Sequence, residues 1–215
     1  MAKILSVVAK VGLARILEPV ARLLLRAGVT PNAVTVAGTV GVLIGAVGFA
    51  TRGHLIIALV IVTLSAFTDM VDGLMARLRP RPGRFGALLD SSMDRVADGA
   101  VFGSVAYWLG TQHRYGGLAA ALLCLVLGQL VSYVRARAEG LGIAANVGLA
   151  ERTERLILVG LGGLLAGLGL VWALDAALWL LAALSLVTVG QRLVVAYRRD
   201  AAAVTGPGPA GTGQR

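Results

Sequence analysis

"FTDMVDGLMARLRPRPGRFGALLDSSMDRVADG", residues 67–99, sets four carboxylates, Asp69, Asp72, Asp90 and Asp94, between long runs of Leu, Val, Ala and Gly. Ionisable groups inside a lipid-soluble segment are costly and mark a partner, a pathway or a site. The Arg/Pro/Gly-rich stretch between the two pairs, 78–85, reads as a turn. The segment is therefore expected to be a helical hairpin with acids on both arms. Its reading decides between a stack of plain spans and a membrane domain built around buried charge.

The rest of the chain supplies the lipid context. Of 215 residues, 57% are hydrophobic and 14% charged, and the mean hydropathy is +0.82. That balance excludes a soluble globule and points to several membrane spans. A span needs roughly 20 mostly apolar residues. The apolar pattern places six, at 32–51, 55–77, 86–111, 116–138, 153–172 and 175–197. Pro31 is placed to open the first, with Thr30 as its N-cap. The 29 glycines suit close helix contact in lipid. The one cysteine, Cys124, falls mid-span, so there is no disulfide framework.

Three regions are expected. In residues 1–28, Lys3, Lys10, Arg15, Arg22 and Arg26 interrupt the apolar run, so a secretory signal peptide is not expected. With Glu18 they take about half of a helical wheel, which predicts an amphipathic helix lying on an anionic membrane face and kinked at Pro19. Residues 29–199 form the six-span membrane domain. Residues 200–215 are small and Gly/Pro-rich and read as a disordered tail. The fold class is thus an all-α integral membrane protein, six transmembrane helices behind an interfacial one.

Orientation follows from the cations. With the N-terminus cytoplasmic, every Lys and Arg but Arg52 and Arg114 falls on the cytoplasmic side. Both termini and the acidic hairpin are then cytoplasmic, and the expected location is the cell membrane. The net charge of +9 faces anionic lipid and anionic solutes. Nucleic acid is not an expected partner, because the cations hug span ends and lack an aromatic stacking platform.

In the hairpin, Asp72 matches Asp90 in depth and Asp69 matches Asp94, roughly 6–8 Å and 12 Å below the helix ends at about 1.5 Å per residue. Spacings of three and four keep each pair on one helix face. Four ionised carboxylates in one small volume need neutralising. Oxygen ligands without Cys or His suit Mg²⁺ or Mn²⁺, and two such ions suit displacement at phosphorus. The other readings are an ion-pair cluster, a proton relay, or an ion transporter, although a transporter's inverted repeats and mid-membrane helix breaks are not evident. Gly73 leaves room for a ligand against the backbone, Ala76 keeps that face narrow, and Arg77 is placed to grip a phosphate. Gly86 is expected to let the two arms approach.

A second set of cations lies at the same ends of spans four to six: Arg135, Arg137, Arg152, Arg155 and Arg192. Arg135, Arg155 and Arg192 are the deepest of each group. They suit the phosphate of an acceptor, gripped by bidentate contacts. The other reading is snorkelling to headgroups or pairing with Glu139, Glu151 and Glu154.

Asp69-x2-Asp72-Gly73-x2-Ala76-Arg77-x8-Gly86-x3-Asp90-x3-Asp94 resembles the signature of the CDP-alcohol phosphatidyltransferases. The resemblance implies a homodimeric six-helix membrane enzyme. Such an enzyme passes the phosphatidyl group of a CDP-activated lipid to an alcohol and releases CMP. It also implies that Asp69, Asp72, Asp90 and Asp94 hold two Mg²⁺ (or Mn²⁺) ions, and that Asp94 takes the proton of the attacking hydroxyl. Gly73, Ala76 and Arg77 would line the nucleotide pocket. The stretches "GVTPNAVTVAGTVG" (28–41), "SYVRARAEGLG" (132–142) and "GLAERTERLILVG" (148–160) resemble actinobacterial members of that family that use inositol phosphate. That implies contacts of Pro31, Asn32, Ala33, Val34, Thr35 and Gly83 with CDP-diacylglycerol. It further implies 1D-myo-inositol 3-phosphate (inositol 1-phosphate) as acceptor at Arg135, Arg155 and Arg192. Glycerol-3-phosphate is the alternative acceptor, and charge alone does not separate two phosphorylated polyols.

Overall fold

The computed structural model describes residues 16–79, 84–145, 147–149 and 151–205, and every regular element among them is a helix. Residues 16–26 form α1. Helix α2, Pro31–Leu43, runs on through a π-helical turn, Ile44–Phe49, and a 3-10 turn, Ala50–Arg52. Then come α3 (Leu55–Arg77), α4 (Arg84–Thr111), α5 (Tyr115–Gly140), α6 (Arg152–Gly167) and α7 (Val171–Thr205). This is the expected all-α membrane architecture. Thr30 caps α2 as predicted, its side chain accepting from the Ala33 amide at 3.2 Å with Pro31 in the first turn.

Among the described residues, four rods are long and apolar enough to cross a membrane: Pro31–Arg52, Leu55–Arg77, Tyr115–Gly140 and Val171–Ala201. The other two expected spans differ for physical reasons. Helix α4 has 28 residues but carries Asp90, Asp94, Arg95 and Asp98, and α6 has 16 residues and begins at Arg152. Both are elements that bring charge into the bundle.

Packing is that of a protein solvated by lipid. Large apolar side chains such as Ile57, Val60, Leu64, Val126, Leu161 and Leu186 point outward, while Ala46, Ala58, Ala120, Ala121 and Ala166 are buried. Small residues let helices approach where lipid removes the hydrophobic drive between them. Between α2 and α3, a Cβ at Gly38 would strike the Thr68 hydroxyl and one at Gly41 the Ser65 hydroxyl. Helix α1 lays Leu17, Ala21, Leu24 and Leu25 against Val71, Leu74 and Met75 of α3, a helical spacing of one apolar stripe. Its Arg22 and Arg26 are exposed. The outer part of the expected interfacial helix, with Lys3, Lys10 and Arg15, lies outside the described residues, and residues 16–26 stay helical through Pro19.

The last connection lies earlier than expected. Helix α6 ends at Gly167 and α7 starts at Val171, whereas hydropathy placed the break at 173–174. Gly169, at φ +102, supplies the left-handed turn. Helix α7 also continues to Thr205, into the stretch expected to be tail. Ala201, Ala202 and Ala203 favour helix, and the first breakers in the sequence are Gly206 and Pro207.

Candidate active site

Three of the four acids that the hairpin was expected to bring together meet. Asp69, Asp72 and Asp90 each offer an oxygen, and these lie within 4.8 Å of one another. Asp72 is buried, Asp69 half-buried and Asp90 exposed. The Thr35 hydroxyl donates to Asp72 Oδ2 at 2.5 Å, joining the head of α2 to the cluster. Among the described residues no ion pair reaches Asp72 or Asp90. Three converging carboxylates, two of them without an ion pair among the described residues, fit a divalent cation of the hard, oxygen-seeking kind.

Asp94 lies beside this triad. Arg152 Nη1 bridges the two, 2.6 Å from Asp69 Oδ2 and 2.7 Å from Asp94 Oδ1. Arg152, expected among the acceptor-side cations or paired with a nearby Glu, instead holds two of the four acids. A fifth acid, Asp98, was not singled out at all. It lies one turn beyond Asp94 and accepts from Arg155 Nη2 at 2.7 Å. The signal was present: 90, 94 and 98 continue one stripe at a spacing of four.

Asp94 also lines a cavity of about 970 Å³ whose walls include Arg95, Arg135, Arg152, Arg155 and Arg192. The three expected acceptor arginines thus share one cavity. Their settings differ. Arg155 and Arg192 are 1% and 2% exposed. Arg192 donates to the carbonyls of Val147, at 2.7 Å, and Val131, at 2.6 Å, pinning the α5–α6 connection to α7. Arg135 is exposed and paired with Glu139 at 2.9 Å, so for it the expected alternative partner is present. Arg95 bonds the Ser132 hydroxyl and receives Gln129 Nε2 on its carbonyl at 3.2 Å, fastening α4 to α5.

The described residues expected at the donor lie at the head of α2 and along the last turns of α3. Pro31 and Thr35 are buried, Asn32 and Val34 half-buried, and Ala33 exposed. A Cβ at Gly73 would meet nothing within 4 Å, so its small size is not explained by packing and leaves open space beside Asp72. Gly86 needs a different account from the one expected. A Cβ there would come 3.3 Å from Asn32 Oδ1, so it accommodates the head of α2 and not the other arm of the hairpin. Ala76 is half-buried and Arg77 exposed at the end of α3. Gly83 lies outside the described residues.

The family model of the CDP-alcohol phosphatidyltransferases matches residues 28–189. A phosphatidylinositol phosphate synthase of Mycobacteroides abscessus is 47% identical over 182 residues, covering 84% of this chain and 83% of that protein. One from Corynebacterium glutamicum is 46% identical over 205 residues, covering 91% and 90%. The crystal structure of Mycobacterium tuberculosis phosphatidylinositol phosphate synthase with CDP-DAG bound superposes with a TM-score of 0.81 at 40% identity, covering 90% of this chain and 96% of that one. The same enzyme in complex with manganese and citrate gives 0.80 at 39% identity, over 89% and 90%.

Proposed function

The chain belongs to the CDP-alcohol phosphatidyltransferase family, and we propose that it transfers the phosphatidyl group of CDP-diacylglycerol to a hydroxyl of 1D-myo-inositol 3-phosphate, releasing CMP. The observation that carries this is the adjacency of the two half-sites. Asp94 is joined to the carboxylate triad through Arg152 and also lines the arginine-walled cavity. The likeness to phosphatidylinositol phosphate synthases supports the acceptor, and the transferase family sets the transporter reading aside.

One bond forms, from the acceptor oxygen to the phosphorus that carries diacylglycerol. One breaks, from that phosphorus to the oxygen it shares with CMP, which leaves with the electron pair. A hydroxyl is a weak nucleophile until a base removes its proton, and Asp94 is the carboxylate placed at the cavity to do so. Two Mg²⁺ (or Mn²⁺) ions held by Asp69, Asp72, Asp90 and Asp94 would neutralise the diphosphate and stabilise the departing oxygen when bound. The head of α2 from Pro31 to Thr35, with Gly73, Ala76, Arg77 and Gly83, is assigned to the nucleotide end of the donor. Arg135, Arg155 and Arg192 are assigned to the acceptor phosphate. The cation bias puts this end of the bundle in the cytoplasm and the protein in the cell membrane, with all six rods α2–α7 spanning. Family likeness supports a homodimer.

The acceptor panel tests this reading. Purified protein receives CDP-diacylglycerol, Mg²⁺ and inositol phosphate, glycerol-3-phosphate or free inositol, and kcat/KM is measured for each. Inositol phosphate is expected to lead. Equal use of free inositol would remove the arginines' assigned role, and preference for glycerol-3-phosphate would replace the acceptor.

A further inference from the structure

Asp98 is the most buried carboxylate at this end of the bundle, 3% exposed, and it stands outside the eight-position motif. Three guanidiniums face it. Arg155 Nη2 is at 2.7 Å, Arg95 Nη1 at 3.4 Å and Arg152 Nε at 3.6 Å. Those three arginines belong to both halves of the site. Arg152 bridges Asp69 and Asp94, while Arg95 and Arg155 line the cavity. A buried guanidinium without a carboxylate is strongly unfavourable, so Arg155, 1% exposed, is held where it is by Asp98. The contact uses one end of its fork. Its Nε is buried and has no hydrogen-bond partner among the described residues, which is unusual for such a strong donor.

We infer that Asp98 is a positioning residue for the acceptor, holding Arg155 in the orientation that meets the acceptor's phosphate and tying that wall to Arg152. The inference rests on the acceptor reading above. In an Asp98→Asn variant the amide cannot replace the charge-assisted bond. The three guanidiniums then repel one another and Arg155 loses its fixed direction.

The test is a double-mutant cycle read on two Michaelis constants. Asp98→Asn is expected to raise the acceptor KM about 10- to 100-fold, the scale of one charge-assisted hydrogen bond, and to leave the CDP-diacylglycerol KM within about twofold. Arg155→Gln is expected to do the same. The double variant is expected to be no worse than Arg155→Gln alone, because Asp98 acts through Arg155. A purely structural role would lower the active fraction, so kcat would fall with both constants unmoved, and that result overturns the inference. So does multiplication of the two effects in the double variant. If Arg155→Gln itself leaves the acceptor KM unchanged, the acceptor assignment fails and this inference falls with it. Asp98→Glu keeps the charge, and so the fold, while moving it by one methylene. It is expected to show the same selectivity for the acceptor constant, and an unchanged constant there also counts against the role.

Discussion

Asp94 takes a bond from Arg152 on one oxygen and lines the arginine cavity, so its replacement separates chemistry from binding. Asp94→Asn keeps the shape and removes the basic oxygen. Turnover is expected to fall by about 10²–10⁴-fold, the usual worth of a general base, and further where a metal contact is lost. Binding of CDP-diacylglycerol is expected to remain, since Asp69, Asp72 and Asp90 still converge. CMP release measured beside donor binding checks both. Near-parent turnover in a folded variant would reject the assignment. The neighbouring Arg152 shows the limit of reading residues singly. It was expected to meet an anionic ligand, a lipid headgroup or a nearby Glu, whereas its partners are Asp69, 83 residues away, and Asp94. Nothing local in the sequence encodes that meeting.

At the scale of elements, what was legible had chemical punctuation. Helix α3 begins and ends where hydropathy put it, at Leu55 and Arg77, because Gly53 and a charged turn bound it. The boundary of α6 and α7 was misplaced because "GLLAGLGLVWAL", residues 163–174, is apolar throughout, and within it only the glycines mark the turn. The acid stripe of α4 was read to Asp94 and not to Asp98, since a residue outside a recognised pattern drew no attention until its three arginines were in view. Contact between α2 and α3 carries a prediction of its own. Gly38→Ala drives a methyl group into Thr68, whose hydroxyl donates to the Ser65 carbonyl at 2.5 Å. Overpacking of this kind costs about 1–3 kcal/mol. The variant is expected to unfold at a lower temperature in detergent, and adding Thr68→Ala is expected to restore much of the loss. An unchanged unfolding temperature in Gly38→Ala would mean that α2 and α3 are not packed as described.

For the whole molecule, the distribution of charge decides the account. One end of the bundle gathers Asp69, Asp72, Asp90, Asp94 and Asp98 with the buried arginines, Asp94 and those arginines lining a cavity, while at the other the described ion pair is Arg114 with Asp175. A purely structural ion-pair cluster would match its acids to its cations, yet Asp72 and Asp90 have no cation of their own among the described residues. The central claim is that these acids serve metal-dependent phosphatidyl transfer. The most direct measurement follows lipid product and CMP together, from purified protein given CDP-diacylglycerol and inositol phosphate, first in EDTA and then with Mg²⁺ restored. The account predicts neither product in EDTA, and with Mg²⁺ equal amounts of CMP and of a lipid carrying the inositol phosphate. Full turnover in chelator, or CMP released without that lipid, would contradict it.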